Sequence, residues 1–409
     1  MVYMHSALEN IITQELARGT GLSIINLVNA ILEQADELRA SDIHIDTGAE
    51  VLKIRFRIDG VLQDIFALPK NIQAEIISRI KIVSGLRTDE HQAAQDGRFR
   101  IATPAGKNID IRVSIAPTYY GENAVMRLLS DQAEEFTLEL LGFSAANRKK
   151  ILQALQRPHG MILATGPTGS GKTTTLYSLI KLLNTRDISI ITVEDPIEYA
   201  VSGINQMQVS SRSQLTFANG LRAILRQDPD IIMVGEIRDG ETAALAVNTA
   251  LTGHLLLSTL HTNDAATTLP RLLDLKIEPY LVASTVNLTI GQRLVRKICA
   301  DCKIAKEFSV AEQQSLLETI PQITNNTWDF FYGSGCEACN FSGYRGRMGV
   351  HEVLVPDEAI SEAVLRKASA AEIRTLAISR GMVPMIEDGL EKVRAGFTTI
   401  EEIVRMIQN

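Results

Sequence analysis

Between Leu22 and Ala40 the apolar residues Ile25, Val28, Leu32, Ala35 and Leu38 recur every three or four positions, the spacing that gathers one stripe along a helix. The period then changes. Leu52, Ile54, Phe56 and Ile58 alternate with Lys53, Arg55, Arg57 and Asp59, and Asp59-Gly60 reverses the chain, which predicts antiparallel strands with one buried face. Ile109, Ile111, Val113 and Ile115 repeat the alternation against Asp110, Arg112 and Ser114, and a helix over 72–83 is placed to cover the sheet. Residues 1–135 therefore form a small α+β domain in this scheme, with a linker over 131–141.

Past Gly142 the pattern becomes one of short apolar runs, at 161–164, 188–193, 231–234 and 255–258, separated by helical stretches. Strands apolar on both faces belong in a parallel sheet, so 136–409 is predicted as an α/β domain. Regularity stops between Ile298 and Gly349 around the cysteines, giving a tetracysteine subdomain over 297–346. From Ser361 onward the chain is helical in character, within a C-terminal segment over 355–409, with Gly381 and Gly396 as breaks.

Composition narrows the function classes. A chain of 409 residues suggests two to three domains. Its 41 basic against 48 acidic side chains, with no run of five like charges, leave no electrostatic footprint for nucleic acid. The N-terminus lacks the form of a secretory signal, and the most apolar long window, 243–260, is interrupted by Asn248, Thr249, Thr252, Gly253 and His254. A cytoplasmic protein is expected. The only cysteines, Cys299/Cys302 and Cys336/Cys339, are paired as metal ligands are in a reducing compartment.

Residues 166–175 read GPTGSGKTTT, and Gly166, Gly171, Lys172 and Thr173 satisfy G-x-x-x-x-G-K-[ST] between an apolar strand and a helix. The stretch Gly166, Pro167, Thr168, Gly169, Ser170, Gly171, Lys172, Thr173 and Thr174 is placed to wrap the phosphates of ATP, its backbone N–H groups (all but Pro167, which has none) facing phosphate oxygens, Lys172 reaching the β- and γ-phosphates and Thr173 ligating Mg²⁺. The strand at 231–234, expected beside this cradle, delivers Glu236 as the group to polarise water, with Gly235 where an aspartate usually holds Mg²⁺. Glu194, Asp195 and Glu198 supply further acids, either for the metal or as a solvated strand end. His261, past the end of the third strand, is placed to sense the γ-phosphate, whereas His254 before it suits a structural role equally well.

These stretches, together with ASDIHID, IRFRIDGVL, QDGR, IRVSIAPTYYGENAVMRLL, ITVEDPIEY, LRAILRQDPDIIMVGEIRD, TGHLLLSTLHTNDA and GQRLVR, resemble the secretion ATPase superfamily. Its members are the motors of type II secretion, type IV pilus assembly and pilus retraction. The resemblance implies a RecA-like P-loop NTPase domain preceded by a small α+β (PAS-like) domain, with a zinc-binding insertion and a helical C-terminal segment. It further implies a homo-hexamer with ATP at the junction of the two lobes, cytoplasmic and held at the inner face of the inner membrane through platform proteins of the machine. Arg112 and Arg127, and Arg222 and Arg226 four apart on one predicted helix, align with the arginines that family members bring to the nucleotide.

The cysteine set separates secretion and assembly motors from retraction motors, and four thiolates with a 33-residue spacer suit a closed structural Zn²⁺ site. GYRGRMGVHEVL leans toward the type II branch over the pilus branch. About forty residues precede SDIHID, where members usually carry an extra domain that docks on a membrane partner. Two rival classes stand beside the motor: a RecA-like nucleic-acid translocase, disfavoured by the acidic balance, and a nucleotide-gated scaffold with negligible turnover.

Overall fold

The computed structural model describes residues 12, 13, 15, 22–102, 108–130, 136–210, 213–321, 323 and 329–408. The chain divides into two compact units, Met1–Glu134 and Glu135–Asn409. Residues 131–135, the first part of the expected linker, and the N-terminal 1–11 lie outside the described residues.

In the first unit a helix, Ile24–Glu37, starts where the Ser23 hydroxyl accepts the Asn26 N–H, and it buries Leu27, Val28, Ile31, Leu32 and Ala35. Strands β1 (Ala40–Thr47), β2 (Val51–Ile58), β3 (Val61–Pro69), β4 (Gln95–Ala102), β5 (Asn108–Thr118) and β6 (Gly121–Ser130) form an antiparallel sheet in the order β3-β2-β1-β6-β5-β4. Asp59 (φ 48°) and Gly60 (φ 85°) make the two-residue turn between β2 and β3, both in the left-handed region that this tight hairpin requires. The alternation works as predicted. Ile43, Ile45, Ile54, Phe56, Ile111 and Met126 are buried with that helix and Gln73–Val83, while the other face is polar.

Cross-strand register lines up Arg98, Arg112, Arg127, Asp42 and Arg57 in one row across five strands of that polar face. Asp42 is its single carboxylate. It accepts from Arg127 Nε at 3.0 Å and lies 3.6 Å from Arg57 Nε.

In the second unit the apolar runs become β7 (Gly160–Thr165), β8 (Ile190–Glu194), β10 (Ile231–Val234) and β11 (Leu255–Leu260), joined by β9 (Asn205–Gln208), β12 (Val286–Ile298) and β15 (Tyr344–Leu354). The sheet runs β15-β12-β7-β11-β10-β8-β9, parallel except for the edge strand β15. Here one expectation is corrected. Strand β7 lies between β12 and β11, and β10 is one strand further away. Parallel strands are joined by crossovers, so chain order does not fix which strands touch.

Between β12 and β15 the chain makes an excursion with its own hairpin, β13 (Lys303–Lys306) and β14 (Phe330–Gly333). Four helices follow: Glu358–Leu365, Ala370–Ser379, Met385–Arg394 and Ile400–Gln408. Gly381 (φ 88°) and Gly396 (φ 67°) sit in the breaks, as the sequence suggested. No described helix is long and apolar enough to cross a membrane.

Candidate functional site

The cradle is built by the end of β7, the loop 166–171 and the helix Lys172–Leu183. Strand β7 is fully buried, so the loop leaves a rigid platform, and Gly166 (φ 144°), Gly169 (φ 78°) and Gly171 (φ 86°) take the positive φ values that let the backbone curl. Lys172 is buried and donates to the carbonyls of Gly166 (2.9 Å) and Pro167 (3.0 Å). Among the described residues no carboxylate pairs with it. Burial lowers its pKa from the usual lysine range, with the Glu236 charge acting the other way. The Ser170 hydroxyl is buried in the loop without a hydrogen-bond partner among the described residues. A half-desolvated cation, an orphan hydroxyl and a helix N-terminus together suit a polyanion.

Glu236 follows β10 and His261 follows β11, at the carboxyl ends of adjacent strands. Glu236 Oε2 lies 2.9 Å from His261 Nε2, and Oε1 lies 2.5 Å from the Arg238 guanidinium. Burial pushes this carboxyl up, but the hydrogen bonds from Arg238 and His261 outweigh it and hold Glu236 below the ordinary carboxylate range. The Thr259 hydroxyl donates to the Gly235 carbonyl at 2.8 Å, and Gly235 N–H donates to Val193 at 2.8 Å, so the backbone leading to Glu236 is fixed from both sides. At the next strand the Thr262 N–H donates to the Thr165 hydroxyl at 3.0 Å, which ties the loop after His261 to the last residue of β7.

Removing Arg238 leaves burial less opposed. In Arg238→Ala the acid limb of the phosphate-release rate should therefore move to higher pH. A limb at the same pH would show that Arg238 does not tune Glu236.

The other predicted residues are placed apart. Glu194 ends β8 inside the protein, where it accepts from the Tyr177 hydroxyl, from Thr192 (2.6 Å) and from Gln206 (3.1 Å), and burial raises its pKa against these bonds. Arg222 pairs with Glu241 at 2.7 Å, and Arg226 donates to the Arg222 carbonyl at 2.8 Å. The helix carrying Arg222 ends at Ile224, so Arg226 lies in the turn just beyond it. Arg112 and Arg127 stand in the arginine row of the first unit. His254 has its Nδ1 3.1 Å from the Thr249 carbonyl at the start of β11, the structural role allowed for above.

Cys299, Cys302, Cys336 and Cys339 bring their sulfurs within 4.8 Å of one another. Three separations are 3.8, 3.8 and 3.7 Å. A tetrahedron with metal–sulfur bonds of about 2.3 Å has edges of about 3.8 Å, so the donor set fits a four-thiolate metal. Burial opposes ionisation of Cys339, but the N–H groups of Cys336 and Gly343 point at its sulfur and bring its pKa down to about 7. Burial pushes the Cys302 thiol up to about 12.

The family model of Type II/IV secretion system protein matches residues 17–405. The chain belongs to this family. It is 46% identical over 385 residues to the Type II secretion system protein E of Aeromonas hydrophila, an alignment covering 94% of this chain and 75% of that one. It is 47% identical over 381 residues to the Type IV pilus assembly ATPase PilB of Myxococcus xanthus, covering 93% and 67%. Among solved structures, the pilus retraction motor PilT with bound ADP superposes with a TM-score of 0.62 at 28% identity, covering 92% and 95%. The Legionella pneumophila ATPase DotB shares the fold, with a TM-score of 0.68 at 24% identity over 93% and 95%.

Two further residues belong to this edge of the sheet by geometry alone. Arg238 and Tyr177 bind the two glutamates singled out above, yet neither lies in a spacing that marks it. Arg238 stands two residues after Glu236, and only the turn following β10 brings its guanidinium back. Tyr177 lies on the apolar side of its helix and looks like core until its hydroxyl is seen on Glu194.

Proposed function

We propose that the chain is a Mg²⁺-dependent ATPase working as a cytoplasmic homo-hexamer, which drives assembly of a pseudopilus for type II protein secretion. One observation carries this reading: Lys172 in its loop and the Glu236–His261 pair sit at the carboxyl ends of strands in one sheet. That edge offers a cation for phosphoryl oxygens and a held carboxylate for water. Phosphoryl transfer to water asks for charge stabilisation and alignment and little covalent chemistry.

In this reading the amides of 166–174 bind phosphate oxygens and Lys172 steadies the charge that develops on the γ-phosphoryl. Glu236, ionised at neutral pH, orients the attacking water, and His261 fixes the direction of its carboxylate. Mg²⁺, when bound, would offset phosphate charge, and Thr173 is the residue that would hold it. Glu194 supports this site through its backbone, since an added Cβ at Gly235 would lie 3.4 Å from the Glu194 Cα, while its carboxylate is held by other residues. Arg112, Arg127, Arg222 and Arg226 are proposed as further phosphate partners in the ring. The four cysteines hold structural Zn²⁺. Platform proteins of the inner membrane recruit the ring to that surface, and nucleic acid is not a partner.

Phosphate release by the purified full chain tests the enzyme. Nucleotide binding without release would make it a scaffold, and strong stimulation by single-stranded DNA would make it a translocase. In the host, deletion should leave exported proteins in the periplasm. Loss of surface pili with normal export would instead favour pilus assembly, the second reading that the similarity to the Myxococcus xanthus protein supports.

Metal analysis should find one zinc ion per chain, lost in Cys302→Ser/Cys339→Ser with a fall in melting temperature of roughly 5 °C. A metal-free protein with unchanged melting would remove zinc from the account.

A further inference from the structure

Gln292, in the stretch GQRLVR, lies in β12 beside the cradle strand and is 1% exposed. Its carboxamide spans two groups. Nε2 donates to the Ser170 carbonyl at 2.7 Å, and Oε1 accepts from the Thr175 hydroxyl at 2.7 Å. A carbonyl can only accept, so the amide nitrogen must face Ser170, and the Thr175 hydroxyl completes the other end. The contact extends to both ends of the loop. A Cβ on Gly166 would come 2.3 Å from the main-chain carbonyl oxygen of Gln292, and one on Gly171 would come 2.8 Å from its side-chain Nε2.

The peptide between Ser170 and Gly171 is planar and trans, so its N–H points opposite to its C=O. With the carbonyl drawn to Gln292, the Gly171 N–H is turned away from β12. A glycine follows the peptide, and glycine accepts φ of either sign, so the flipped arrangement is sterically open to this backbone. The flip would exchange a donor for an acceptor. A phosphate would then meet a carbonyl oxygen where it needs an N–H.

We propose that Gln292 is the positioning residue of the phosphate loop: its carboxamide holds the Ser170 carbonyl inward and thereby turns the Gly171 N–H toward the nucleotide. This rests on the nucleotide reading above and adds to it the device that selects one of two peptide orientations before ligand arrives. Gln292 touches no substrate. It acts through the backbone.

Gln292→Met keeps the length of the side chain and removes both hydrogen bonds. Measured with a fluorescent ADP analogue and by phosphate release on the full chain, it should weaken ADP about tenfold and raise KM for ATP by a similar factor, with kcat reduced less than about threefold. Thr175→Val, which frees the amide to rotate, should weaken ADP about threefold, and Thr175→Ser should recover that loss. A purely structural role would lower the melting temperature and the active fraction while leaving KM unchanged, and that result overturns the proposal. If Gln292→Met fails to fold, Thr175→Val decides, and wild-type affinity there overturns it equally. Lys172→Ala is run alongside. If it binds and turns over like the wild type, the nucleotide reading itself falls. If it is inactive while Gln292→Met matches wild type, only the positioning role falls.

Discussion

Glu236→Gln should lower phosphate release about 100- to 10,000-fold while leaving nucleotide binding in place. Both carboxylate oxygens are engaged in the wild type, one by His261 at 2.9 Å and one by Arg238 at 2.5 Å. A glutamine can still offer its carbonyl to Arg238, which only donates, and its NH₂ to a neutral His261, so the local packing survives. What disappears is a carboxylate that can draw a proton from water. The pH dependence follows from the same contacts. Because Arg238 and His261 hold the Glu236 pKa low, the wild-type rate should persist to pH values below the ordinary carboxylate range and fall only as the pH drops through that lowered value. Steady-state phosphate release across pH, with nucleotide binding measured separately, checks both points. Normal turnover in Glu236→Gln would remove this residue from the chemistry.

Lys172→Ala should lose phosphate release by at least about 100-fold and weaken nucleotide as well. The ammonium is partly desolvated, and its hydrogen bonds go to two neutral carbonyls of its own loop. A buried cation facing only dipoles is stabilised most by an anion, and a phosphate chain supplies one. The sign of the pH effect is fixed by the lowered pKa. Nucleotide affinity should be full while Lys172 is protonated and should weaken as the pH rises through that value, with proton uptake on binding in the same window. Calorimetry in buffers of different ionisation enthalpy measures the uptake. Unchanged affinity in Lys172→Ala would leave the cation without its role.

The legible parts of the molecule are those where one local period decides. The alternation at 52–58 gives β2 and its buried face, and the stripe of Val28, Leu32 and Ala35 gives the first helix, because each element buries one side against a single neighbour. The P-loop was equally plain, since a cradle of backbone amides demands glycine and lysine at fixed spacing. Strand β12 escaped notice. It carries Asn287, Thr289 and Gln292 on buried positions, and polar side chains in a core strand break the apolar run that marks one. Those same residues are buried because the backbone and loop beside them need partners, as with Asn287 on the His159 carbonyl and Gln292 on Ser170. The neighbours of β7 and the burial of Glu194 were hidden for a different reason. Both depend on crossovers and on a tyrosine hydroxyl from another element, which no spacing records.

Strand β12 also has an unusual reach. It lies along β7 from Val286 to Gly291, continues paired with β15 to Ile298, and passes directly into Cys299. From Gln292 to Cys299 is about 23 Å of extended chain. The thiolate cluster and Gln292, the partner of the phosphate loop, thus lie on one strand, with no glycine between residues 292 and 299 and with one irregularity of pairing between them, at Arg296–Ile298. A displacement of the cysteine excursion therefore enters the strand that seats Ser170 at that bulge, where the backbone already bends.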